Sequence, residues 1–83
     1  MSDAGRERIY AGLTAILREI FDDDTLVATP ELMADHVEGW DSFAHLRLIL
    51  AVERRFGVDF AAAQIASMTN VGDLAQLVAS KLR

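Results

Sequence analysis

Asp41, Ser42 and His45 bring together a carboxylate, a hydroxyl and an imidazole, the residue types of a hydrolytic relay. Their spacing defeats that chemistry. All three fall within one turn of backbone, too close to serve as orienter, nucleophile and base. Trp40-Asp41-Ser42-Phe43-Ala44 also lacks the glycines of a nucleophile elbow. His36 and His45 are the only histidines, and their spacing fits neither a zinc helix pair nor another common ligand set. They read as one exposed loop histidine and one at a helix start. Asp22-Asp23-Asp24 lacks the alternating acceptors and central glycine of a calcium loop, and reads as a solvated corner. The cysteine count is 0, which removes disulfides, thiolate metal sites and a thiol nucleophile. No glycine-rich phosphate loop is present. The chain is expected to have no catalytic chemistry of its own.

The elements that hold these residues are helical. Ile9, Leu13, Ile16, Leu17 and Ile20 recur on one stripe, predicting a first helix from about Asp3 to Ile20 with Ser2 or Asp3 as its cap. The aspartate run breaks it, since adjacent like charges repel and Asp favours caps over helix interiors. Thr29-Pro30-Glu31 then signals a short turn of helix inside a long loop, ended by Gly39. Asp41 suits the N-cap of a second helix that reaches Phe56, with Gly57 as its left-handed stop. Val58-Asp59-Phe60 reads as extended, and Ala61 to Ser67 as a short helix. Asn70 caps the last helix, with Asp73 completing a variant capping box. Its apolar face is Val71, Leu74, Ala75, Val78 and Leu82, and Lys81 and Arg83 suit the C-terminal dipole. The expected fold is all-α: three main helices plus one or two short ones, with a long first loop.

The 83 residues allow one small domain spanning residues 1–83, and 52% apolar with 25% charged residues is a globular balance. A net charge of −5 argues against nucleic acid as a partner. No apolar run approaches the ~20 residues of a membrane span, and the N-terminus lacks a secretory stretch. A soluble, cytoplasmic monomer is the expectation. The acidity is local: every charged residue between Phe21 and Ser42 is an Asp or Glu. Between Phe43 and Phe56, Arg47, Arg54 and Arg55 outnumber Glu53.

The second helix carries apolar residues on two sides. Leu48, Ile49, Val52 and Phe56 make a core face, while Phe43, Leu46, Arg47, Leu50 and Arg54 fall opposite. A bundle this small has too few elements to cover both, so the second stripe is expected to be a partner-docking surface. The alternative is that the long loop folds over it. Trp40 reads as a loop anchor on the core. Taken alone, Ser42 is an ordinary first-turn serine.

Gly39-Trp40-Asp41-Ser42-Phe43, the helix end Ala51-Val52-Glu53-Arg54-Arg55-Phe56-Gly57-Val58 and the segment Met68-Thr69-Asn70-Val71-Gly72-Asp73-Leu74 together resemble the acyl carrier protein family. The likeness covers nearly the whole chain in length and element order. It implies that Ser42 is the attachment point for 4′-phosphopantetheine, transferred from coenzyme A by a separate phosphopantetheinyl transferase using magnesium. The chain would gain its only thiol that way and carry acyl groups as thioesters. The resemblance adds a transferase contact to the capping role of Asp41. It also implies that Ile65 and Met68 line an acyl cleft, although both serve equally well as core. Acyl-loading, condensing and acyl-transferring enzymes are the implied partners.

Phe43 replaces the family's usual Leu. Arg47, Arg54 and Arg55 occupy a stretch where members serving bacterial fatty acid synthesis usually present acids to basic patches on their enzymes. That departure predicts a specialised pathway, such as polyketide or hybrid peptide assembly. Two alternatives remain. A peptidyl or aminoacyl carrier shares the fold, but more often shows Gly-Gly-x-Ser than the Gly-Trp-Asp-Ser found here. An unmodified helical interaction module would use the Phe43/Leu46/Leu50 stripe without loading Ser42.

Overall fold

The stripe of Ile9, Leu13, Ile16 and Leu17 becomes the buried side of α1 (Asp3–Phe21) in a computed structural model that describes residues 3–82. A 3₁₀ turn at Ala34–His36 interrupts the following loop. Then come α2 (Ser42–Phe56), α3 (Ala62–Ser67) and α4 (Val71–Lys81). α1 packs against both α2 and α4. Leu13, Leu17, Leu48, Ile49, Val52, Val71 and Val78 are the fully buried centre. Each such side chain contributes roughly 1.5–3 kcal/mol by leaving water. Ala28 of the loop and Val58 and Phe60 of the 58–60 segment complete the core. The cap expected at Ser2 or Asp3 and the dipole contact of Arg83 lie outside the described residues and side chains.

The predicted caps form. The Asp41 carboxylate accepts from the Ala44 N–H at 2.8 Å, and Asn70 Oδ1 accepts from the Asp73 N–H at 2.8 Å. Gly57 stops α2 at φ 67°, a left-handed conformation natural to glycine. Asp22 adopts φ 49° after α1, and the Asp23 N–H reaches back to the Arg18 carbonyl at 3.1 Å. Both serve the helix end.

Three expectations need correction. No helix begins at Pro30: the Leu32 N–H donates to the Thr29 carbonyl in a turn, and the helical turn comes later, at Ala34–His36. The reason lies in α4. The Pro30 and Leu32 carbonyls accept from the Gly72 and Val71 N–H groups at 3.1 and 2.9 Å, satisfying donors that the first turn of α4 leaves open. Carbonyls turned outward for that task do not build a helix of their own. Gly72 permits the approach, because a Cβ there would stand 3.0 Å from the Pro30 carbonyl oxygen. Second, Leu82 is 50% exposed, since α4 ends at Lys81 and the chain leaves the packed face. Third, Asp73 reaches past its cap: Thr69 N–H and Oγ1–H donate to Asp73 Oδ2 at 3.0 and 2.8 Å, and the Asn70 N–H of the expected box has a smaller effect on the same carboxyl.

Those bonds hold the Asp73 carboxyl below the ordinary value of 3.8, the Thr69 N–H having the largest effect. Asp23 is lowered likewise, first by the Thr25 hydroxyl and then by the Thr25 N–H. Because the folded-state values are depressed, their stabilisation is complete above the ordinary aspartate range and is lost as pH falls through the depressed values. A carboxyl NMR titration is expected to place both residues below 3.8. Midpoints at or above that value would contradict these bonds.

Candidate functional site

The long loop is tied away from the outer side of α2. Arg18 Nε donates to the Leu26 carbonyl at 2.7 Å, and the Ala28 N–H donates to Thr14 Oγ1 at 2.9 Å, both fastening the loop to α1. Its second half is committed to α4 through Pro30 and Leu32. The loop therefore does not cover the second apolar stripe. Phe43, Leu46 and Leu50 stand 72%, 53% and 51% exposed, with Arg47 and Arg54 exposed beside them. Arg55, grouped with these arginines on sequence, points elsewhere: its side chain crosses Gly12 of α1, where a Cβ would come within 2.8 Å of Nε.

Trp40 anchors the loop at the entrance of α2. Its ring packs on Phe21 with centroids 5.5 Å apart, and Nε1–H donates to His45 Nδ1 at 3.2 Å. His45 Nδ1 is thus an occupied acceptor, and the Asp41 carboxylate is turned to the Ala44 N–H. The three residue types of a hydrolytic relay are placed together and each is otherwise engaged, apart from Ser42. Ser42, the first residue of α2, is exposed and its hydroxyl makes no hydrogen bond within the described residues.

Ser42 opens onto a cleft of about 500 Å³ between α2 and the α3–α4 side. Asp41, Trp40 and His45 stand with it on the lining, and Leu48, Ile65, Met68 and Leu74 supply apolar wall. The structure thus brings Asp41, Ser42, Ile65 and Met68 to one cleft, and Phe43, Leu46, Arg47, Leu50 and Arg54 to the exposed stripe beside it. Sequence reasoning missed His45 and Leu48 as cleft residues. The period of α2 could have found Leu48, which is both core and wall. Nothing local announces the Trp40–His45 bond.

Among the described residues no helix is long and apolar enough to cross a membrane. Residues 12–78 match the family model for the phosphopantetheine attachment site. Acyl carrier proteins of Helicobacter pylori strains ATCC 700392 / 26695 and G27 are each 30% identical over 70 residues, covering 84% of this chain and 90% of theirs. The solution NMR structure of holo acyl carrier protein from Geobacter metallireducens is similar at a TM-score of 0.84 and 42% identity, covering 89% of this chain and 85% of that one. The matched residues 12–78 include the cleft and the whole helix that Ser42 begins; the chain belongs to the acyl carrier protein family, and its prosthetic group is 4′-phosphopantetheine.

Proposed function

We propose that Ser42 is the residue esterified by 4′-phosphopantetheine, and that the chain is a non-catalytic carrier of acyl groups for partner enzymes. One observation carries this reading: a free, exposed hydroxyl at the start of α2, on the rim of an apolar-walled cleft. The site suits a phosphodiester. The N–H groups of Ser42 and Phe43 have no acceptor among the described residues, and they lie at the positive end of the α2 dipole.

When bound, the group supplies a thiol on a long tether, the chemistry that holds acyl cargo as a thioester. The chain's own residues supply position. Ser42 Oγ forms the bond to the phosphorus of coenzyme A that bears pantetheine. The pyrophosphate bridge breaks, adenosine 3′,5′-bisphosphate leaves, and the hydroxyl proton goes to the phosphopantetheinyl transferase. The two candidate bases beside it are partly engaged, since Asp41 Oδ1 accepts from the Ala44 N–H and His45 Nδ1 accepts from Trp40. Activation then comes from the transferase and its magnesium, which suits a carrier more than a catalyst. Asp41 fixes the first turn that presents Ser42 and offers its exposed carboxylate to the transferase. Ile65 and Met68 provide apolar wall for cargo folded back into the cleft. The arginines of α2 favour a specialised pathway, such as polyketide assembly, over housekeeping fatty acid synthesis.

Incubation with coenzyme A, magnesium and a broad-specificity transferase is expected to add one phosphopantetheine to the intact mass. No gain with several such enzymes would favour the unmodified interaction module.

A further inference from the structure

Six residues of α2 define the outer face. Ser42, Leu46 and Leu50 lie at i, i+4 and i+8, in one row along the helix, and Phe43, Arg47 and Arg54 form the neighbouring row. All are exposed, so the attachment serine and the apolar stripe belong to a single surface. The charge on that surface is one-signed. Glu53 is the only acid of α2, and its Oε2 accepts from the Phe60 N–H at 2.8 Å, which commits it to the 58–60 segment. Neither Arg47 nor Arg54 has an ion-pair partner among the described residues. No acid of the 21–42 loop pairs with either arginine: its 26–32 stretch is fastened to α1 and α4, and the exposed Asp41 caps the end of α2 remote from Arg54.

From this we infer that α2 docks into an apolar recess with an acidic rim on the partner enzyme: Phe43, Leu46 and Leu50 fill the recess, while Arg47 and Arg54 pair with carboxylates around it. The inference rests on the Ser42 reading and names the partner chemistry of that same site. An enzyme, not a second copy of this chain, is the occupant. Any copy seated there would cover the serine that must reach other active sites. Arg55 takes no part, being laid over Gly12.

The test uses two probes: a malonyl transferase whose carrier-docking face is basic, and the same enzyme with that face reversed to Glu. The substrates are wild-type protein, R47Q/R54Q and R47E/R54E, each loaded with phosphopantetheine and verified by intact mass beforehand. Wild type is expected to be acylated with a kcat/KM roughly tenfold higher by the acidic-faced enzyme, R47E/R54E to invert that preference, and R47Q/R54Q to fall between. The preference should shrink between about 50 mM and about 500 mM salt, as screening predicts. Equal use of both enzymes by wild type, or no inversion in R47E/R54E, overturns the inference. So does a concentration-dependent dimer that R47E/R54E dissolves, which would give the face to a second copy. Failure of the initial mass gain is a separate result, removing the Ser42 reading and this inference with it.

Discussion

Ser42→Ala is expected to abolish phosphopantetheine loading completely while leaving the fold intact. The side chain is exposed and makes no hydrogen bond within the described residues. The N-cap that α2 requires is supplied by Asp41, whose bond to the Ala44 N–H does not involve Ser42. Removing one oxygen from such a place should change stability by no more than about 0.5 kcal/mol. Loading has no substitute, because the phosphoester needs an oxygen at that position. Intact mass and a thermal melt measured on the same sample check both halves. A variant that still gains the arm would contradict the assignment, and one that melts early would show the serine to be structural.

Leu48→Ala should destabilise the fold strongly and Leu46→Ala almost not at all, although the two leucines sit two residues apart on one helix. Leu48 is 0% exposed at the centre of the core, whereas Leu46 is 53% exposed. Truncating a buried leucine loses its transfer free energy and leaves a cavity, together about 3 kcal/mol. That is a large fraction of the stability of so small a domain. Leu46 has nothing to leave empty, so its truncation should stay within about 0.5 kcal/mol. Urea midpoints at unchanged slope measure both values. Comparable losses in the two variants would mean that the outer stripe is packed in solution, and the docking surface would have to be abandoned.

The features legible in the sequence are those written within three or four residues. The caps at Asp41 and Asn70 and the glycine stop at Gly57 are local hydrogen-bond and backbone chemistry. The two-sided patterning of α2 predicted its buried and exposed faces, since periodicity directly records which side meets the core. The loop was less readable, because its structure answers to distant groups. Pro30 and Leu32 spend their carbonyls on α4, and Gly72 admits them, although Thr29-Pro30-Glu31 by itself signals a helix start. The Trp40–His45 bond is equally silent: an indole and an imidazole five positions apart meet only because Trp40 is held against Phe21. The separation of Arg55 from Arg47 and Arg54 required the contact with α1 to become visible.

A carrier site needs little from its own chain. Ser42 must be accessible, the helix behind it must be held firmly, and neighbouring groups must not compete for its oxygen. The core under α2 supplies the rigidity through Leu48, Ile49 and Val52, while the commitments of Asp41 and His45 leave the hydroxyl open. On the proposed reading, phosphoryl chemistry is then left to the transferase.

Peptide mapping by tandem mass spectrometry of the loaded protein asks the central question at single-residue resolution. The adduct is expected on Ser42 alone, in the peptide containing Gly39-Trp40-Asp41-Ser42-Phe43. An adduct on Ser67, Ser80 or any threonine, with Ser42 unmodified, would contradict the account.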